Sequence, residues 1–272
     1  MGFTDYLRYD FVQHALIAGA LVGAICGLIS PFVITRRAAF AVHGTAELAF
    51  TGAAAGLLIA DNAVAGALAG GLVVAGVIAV LGRTERQLDT VIGVVLAFGM
   101  GVGVLLLSRY HGFAGNAVNI LFGQIFGVSW GQIVLMLVVA ALVLATLVVI
   151  YRPLQFASVD PQVAAARGVP GGLLGLVFLV LLALTVTEAA QIVGTLLVLS
   201  LAITPGAAAV RLTARPAAVT ALSVAFALLA AVGGLAASLQ FGNIKASVWI
   251  TGISFAIYLL ARVFGGRSLT RR

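Results

Sequence analysis

Apolar residues fill this chain in long unbroken runs, and polar residues fall in short clusters between them. Most runs approach the roughly 20 residues that a helix needs to cross a bilayer. Their continuity argues against a β-barrel, whose strands alternate apolar and polar positions. The pattern predicts an all-α, polytopic membrane helical bundle of about nine spans, at 12–34, 39–60, 63–81, 90–108, 130–150, 171–189, 191–210, 217–239 and 246–264. Eight spans result if the second and third form one re-entrant unit. A further apolar run, Asn119–Val128, is too short to cross and reads as an interfacial or re-entrant helix.

Composition and charge sharpen this picture. The sequence is 62% hydrophobic and 8% charged, with a mean hydropathy of +1.21, which excludes an ordinary soluble domain. The net charge of +7 reports orientation first and is no sign of a nucleic-acid partner. If the Tyr151–Gly168 interruption faces the cytoplasm, 12 of the 15 basic residues fall inside, leaving only Arg8, Arg109 and Lys245 outside. The N-terminus is therefore expected outside and the C-terminus in the cytoplasm. Asp5, Arg8 and Asp10 do not make a cationic leader, so the first run is expected to remain as a span. Cys26 is the only cysteine and forms no intrachain disulfide. Gly19/Gly23/Gly27, Gly52/Gly56, Gly66/Gly70 and Gly99/Gly103 recur at intervals of four, a spacing that lets helix backbones approach closely in lipid. Their even spread fits one transmembrane domain over residues 1–272.

The exceptions to the apolar pattern carry the candidate chemistry. Tyr151–Gly168 is the longest polar interruption. Within it Asp160 and Pro161 suit a helix N-cap and first position, and Gly168 suits a stop. The segment reads either as a small helix that docks another protein or as an ordinary interhelical loop. His43 and Glu47 share one face of the second span by their i, i+4 spacing. Glu47 lies roughly 15 Å of helix from Arg37, which places it near the membrane midplane. An ionisable group there costs about 2.5–3.5 kcal/mol on insertion scales. The pair suits a divalent ion such as zinc or manganese, or simply one hydrogen bond that neutralises both groups. Glu188 and Gln191 either line a pathway entrance or form a solvated turn between spans. Pro205 and Gly206 predict a kink late in the seventh span. Asp61-Asn62 reads as an outer turn, and His14 and His111 as interfacial histidines. No phosphate-binding GxxxxGK[ST], HExxH, CxxC or GxSxG motif occurs.

Four segments together resemble the permease subunits of the manganese/zinc/iron class of bacterial ATP-binding-cassette (ABC) importers. They are FVITRRAAFAVHGTAELAFTGAAAGLL at 32–58, LFGQIFGVSW at 121–130, VDPQVAAARGVP at 159–170 and IVGTLLVLSLAITPGAAAVRLT at 192–213. The resemblance implies the many-helix importer fold in the bacterial inner (plasma) membrane. It makes the loop at about 151–170 the site of a coupling helix, in which Val159, Asp160, Pro161, Gln162, Val163, Ala164, Arg167 and Gly168 dock a separate cytoplasmic ATPase. It further implies a second permease copy as a homodimer, and an extracytoplasmic metal-binding protein that delivers the ion. Many relatives carry Asp and then His four residues later in the second span; His43 and Glu47 match those positions with the order of chemistry reversed. A swap that keeps one imidazole and one carboxylate favours metal handling.

The expectation is thus a transport subunit rather than an enzyme. No cofactor is held permanently; the cargo is a divalent metal, zinc or manganese and possibly iron, and ATP sits on the partner. Pro205 and Gly206 would form the gating kink. Two alternatives are a permease for a metal chelate such as a siderophore complex, and an intramembrane metal-dependent enzyme built on His43 and Glu47.

Overall fold

The computed structural model describes residues 9–82, 85–110, 123, 125–241 and 244–269. They form ten α-helices, with no strand among the described residues. The helices are α1 (Asp10–Thr35), α2 (Ala39–Ala60), α3 (Ala63–Leu81), α4 (Glu85–Ser108), α5 (Trp130–Val159), α6 (Pro161–Ala166), α7 (Gly171–Val193), α8 (Thr195–Leu212), α9 (Pro216–Phe241) and α10 (Ala246–Leu269). Each of the nine predicted spans corresponds to one long helix. Eight are long and apolar enough to cross a membrane; α8, at 18 residues, is the shortest of the nine. The α2 and α3 segments are separate helices of 22 and 19 residues rather than one re-entrant unit. Ile125–Gly127 forms one 3₁₀ turn. Most of the predicted Asn119–Val128 interfacial helix, and His111, lie outside the described residues.

Helix α1 is the axis of the bundle, packed against α9, α8, α5 and α7. Around it α2 pairs with α3 and α4, α3 reaches α7, and α10 closes against α8 and α9. Outward faces of α4, α5 and α10 expose Phe98, Val149, Phe255 and Phe264. In water such faces would aggregate; in a bilayer they meet acyl chains.

The glycine repeats act as their spacing predicts. A Cβ on Gly52 would lie 2.5 Å from the Gly66 carbonyl oxygen and 2.8 Å from Gly70 Cα, so α2 and α3 touch backbone to backbone. One on Gly27 would lie 2.6 Å from Val224 Cα in α9. Without a hydrophobic force between helices in lipid, this close van der Waals contact is a main source of cohesion.

Two boundaries differ from the sequence reading. Helix α5 does not stop at 150 but continues through Pro153 to Val159. Tertiary contact holds the polar stretch helical: the Tyr151 ring meets Phe32 edge-on at 5.7 Å, its hydroxyl lies 3.1 Å from Thr220 Oγ1, and Leu154 and Ala157 are buried. Likewise α7 runs past Glu188 and Gln191 to Val193, and the chain reverses at Gly194 with φ 96° and ψ 152°. That conformation is open to glycine and strained for other residues. The turn follows the glycine rather than the polar pair.

Pro205 does not break α8, which stays helical across it. The proline removes one backbone donor and crowds the preceding turn. Ser30 of α1 braces the helix on either side of it: its hydroxyl donates to the Ile203 carbonyl at 3.2 Å and accepts from the Gly206 N–H at 2.9 Å. Gly206 permits the approach, since a Cβ there would lie 2.6 Å from both Ser30 C and Ser30 Oγ. We expect Gly206→Ala to lower the thermal midpoint of the detergent-solubilised protein, at roughly the 1–3 kcal/mol that overpacking costs. Gly76→Ala, where an added Cβ meets nothing within 4 Å, serves as the control and leaves the midpoint unchanged or slightly raised. Equal midpoints for the two variants would contradict the α1–α8 contact.

Candidate functional site

Helix α2 has three working flanks. Gly44, Leu48 and Thr51 face α4, where Thr51 Oγ1 donates to the Gly99 carbonyl at 2.8 Å. Gly52 and Gly56 face α3. His43 and Glu47 lie on a third stripe, and both are half-buried. The His43 ring lies 6.1 Å from that of Phe40. Among the described residues no hydrogen bond or ion pair joins His43 to Glu47, and no group of three His, Cys, Asp or Glu side chains is placed to hold a metal. The structure thus leaves both side chains available, with two ligands from one chain. The remaining coordination of any ion there would come from water or another chain.

Glu188 and Gln191 occupy the last two turns of α7, facing inward. Glu188 is 3% exposed, so the solvated-turn reading of this pair does not hold. Both residues line a cavity of about 350 Å³ at the end of the bundle opposite α6. Its wall comes from the α2–α3 turn (Asp61, Asn62), the 3₁₀ turn and the start of α5 (Gln132, Met136), and α7. The local folding is explicit in the sequence. Asp61 takes a left-handed conformation with φ 50°, which Asp tolerates better than most residues. Asn62 Oδ1 then caps α3 by accepting from the Ala65 N–H at 3.0 Å. Ser129 and Gln132 form a reciprocal capping box at the start of α5.

At the other end, α6 forms as its sequence predicts. Asp160 accepts from the Val163 N–H at 3.0 Å, and Pro161 fills the first position. Arg167 caps the C-terminus, and Gly168 turns the chain out with φ 78°. Ala164 is 1% exposed and roots the helix, whereas Val159 (73%) and Val163 (42%) stand outside it, with Gln162 also exposed. The Arg167 guanidinium sits 5.9 Å from the centre of the Phe156 ring. Sequence reasoning missed Arg36 here. Its guanidinium donates to Ser158 Oγ at 3.3 Å and lies over Phe178 of α7 at 5.2 Å, tying the foot of α6 to α1 and α7. Ser30 was missed as well. Its one signal, a hydroxyl alone in an apolar run, does not by itself point to Gly206 176 residues away.

The comparisons with known proteins cover the same architecture. The manganese transport system membrane protein MntC of Halalkalibacterium halodurans is 30% identical over 272 aligned residues, 99% of this chain and 93% of that protein. MntD of Bacillus subtilis, also named a manganese transport system membrane protein, is 33% identical over 85% of this chain and 83% of its own length. The solved structure of PsaBC from Streptococcus pneumoniae in complex with Fab superposes with a TM-score of 0.84 at 27% identity, covering 95% of this chain and 94% of that one. The pattern that defines the ABC 3 transport family matches residues 8–265. With its membrane-spanning helical fold and this match along nearly its whole length, the chain belongs to the ABC 3 transport family.

Proposed function

We propose that this chain is the permease subunit of an ATP-driven importer that carries a divalent transition metal, manganese first, into the cytoplasm. The observation that carries the reading is similarity along 99% of the chain to a protein named for manganese transport. Zinc and iron(II) are the competing cargoes. In this reading the α6 end and the C-terminus face the cytoplasm of the bacterial cell. A separate ATPase subunit docks on α6 and hydrolyses the ATP. A metal-binding protein delivers the ion at the opposite end, and a second copy of the permease completes the pathway as a homodimer.

The residues take roles that follow from their positions. His43 and Glu47 form a transient metal station. One imidazole and one carboxylate hold a borderline divalent ion, and an incomplete ligand set lets it leave. Pro205 and Gly206, locked to Ser30, form the gating segment. Val159 to Gly168 transmit the closure of the ATPase, through Arg36, into α1 and α7. Glu188 and Gln191 stand at the entrance.

Two experiments test this. In the first, the permease is reconstituted in proteoliposomes with its ATPase and binding protein and offered manganese, zinc and iron(II) in competition. ATP-dependent accumulation of manganese is expected, falling in His43→Ala and Glu47→Gln by at least about tenfold, the scale on which metal sites respond to lost supporting groups. Uptake that survives both substitutions removes the pair from the pathway. Transport of a chelate, with no free ion moved, replaces the cargo. The second experiment uses Val163→Asp, which places a charge on the exposed face of α6. It should abolish co-purification of the ATPase while leaving the permease's own thermal midpoint unchanged. Retained co-purification and transport would mean that the ATPase docks elsewhere.

A further inference from the structure

We propose that the cavity opposite α6 is a second cation site, separate from His43 and Glu47, in which Glu188 anchors a partly hydrated divalent ion through oxygen ligands alone. The proposal rests on the reading of the chain as a divalent-metal permease, and it adds a site and a basis for selecting the cargo.

The argument begins with Glu188. It is 97% buried yet lines open space, and its Oε1 meets no hydrogen-bond partner among the described residues. Among the described residues no Lys, Arg or His contributes to the cavity wall. A carboxylate taken out of water with neither donor nor counter-charge is strongly disfavoured, so the site calls for a positive charge, either a proton or a bound cation. Gln191 Nε2, on the same wall, is also without a partner, which leaves that amide free to turn its oxygen inward. Asp61, exposed at the cavity's edge, has one carboxylate oxygen committed to the Tyr110 hydroxyl at 3.2 Å and the other uncommitted. The neighbouring polar groups are already engaged. Gln132 Oε1 accepts from the Ser129 N–H at 2.9 Å, and Asn62 Oδ1 caps α3. The acceptors left over are Glu188, one oxygen of Asp61 and the Gln191 amide oxygen.

The chemistry of that set is specific. Among the described residues it offers two carboxylates and an amide, with no imidazole and no thiolate. Oxygen-only sites suit manganese, magnesium and calcium, whereas zinc and copper gain most from nitrogen and sulfur. The volume of about 350 Å³ holds an ion with several waters, since each water occupies about 30 Å³ in the liquid. The site is therefore hydrated and weak, as a station on a route should be. It is also distinct from the first pair. Ala53 and Leu57 are the α2 residues nearest that pair on its wall. Ala53 lies six residues beyond Glu47, about 9 Å along the helix, and on another flank.

The test uses the assembled permease–ATPase complex, nucleotide-free in detergent, with Mn²⁺ alone as the probe. Bound ion is counted by equilibrium dialysis and by the electron paramagnetic resonance signal of free Mn²⁺. Glu188→Gln is expected to lose one Mn²⁺ per permease chain, whereas Glu47→Gln keeps that ion. Without imidazole or thiolate, Zn²⁺ should displace it with no large advantage over Mn²⁺ itself, and Asp61→Asn should weaken it severalfold. Unchanged stoichiometry in Glu188→Gln, or displacement by Zn²⁺ more than about tenfold more effective than by Mn²⁺, the mark of a nitrogen or sulfur ligand, overturns the proposal. If wild-type complex still imports manganese in that case, the importer reading stands. If wild type imports no metal ion, the importer reading falls first and this site with it. Should Glu188→Gln fail to assemble, Asp61→Asn decides, because it changes an exposed side chain: unaltered Mn²⁺ affinity in that variant overturns the proposal.

Discussion

Lipid offers no hydrogen bonds, and the rest of this structure depends on that constraint. Every backbone group that leaves the helical ladder must find a protein partner. Beside Pro205 a single hydroxyl, Ser30, both donates and accepts across the α1–α8 contact. It can do so only because Gly206 lets the two backbones close up. The same economy of volume recurs where Gly52 and Gly56 meet Gly66 and Gly70. Small residues here do the work that apolar burial does in a soluble core, because apolar side chains gain little by leaving lipid for protein.

The contacts form a mechanical path from one end of the bundle to the interior. Helix α6 is continuous with α5 through Asp160, which ends one helix and caps the next. Ser158, two residues earlier, receives Arg36, which also lies over Phe178 of α7. Arg36 sits at the end of α1, and six residues back along α1 Ser30 grips α8. A push on α6 would therefore reach α1, α7 and α8 through three named contacts, with no flexible segment between. Because α6 is rooted by Ala164 alone, most of its surface remains free to meet what pushes it.

Much of this was legible in the sequence, for identifiable reasons. Spans follow from run length, which the bilayer dictates, so the nine helices appeared in order. The glycine contacts and the cap at Asp160 are local rules and held as well. The failures were tertiary. Tyr151–Val159 is polar enough to read as loop, and it is helical because Tyr151 packs on Phe32 and bonds to Thr220. The pair Glu188 and Gln191 looked like the turn because polar residues usually make turns, whereas the reversal waits for Gly194. The roles of Arg36 and Ser30 depend on partners more than 100 residues away, and no spacing rule reaches that far. His43 and Glu47 were singled out because ionisable residues in a span are costly, and the structure leaves both half-buried on the stripe of α2 that neither α3 nor α4 covers.

The two stations proposed on this chain differ in a way that bears on how a metal could be chosen and still released. A closed site with four protein ligands binds an ion tightly but gives it up slowly. In the proposed reading this chain supplies two ligands at His43 and Glu47, and among its described residues it gathers no cluster of three. Within one copy, therefore, the described residues offer no single tight site. Selection by two loose ones is available, because their donors differ in kind. An oxygen-lined cavity admits hard ions and discriminates weakly against soft ones; an imidazole–carboxylate pair accepts borderline ions and discriminates against magnesium and calcium, which gain little from nitrogen. Manganese satisfies both. Each step stays shallow in free energy, so neither traps the cargo, and the discrimination of the pair multiplies. On this argument the reversed order of imidazole and carboxylate on α2 matters little to the chemistry, whereas replacing either donor type would matter a great deal.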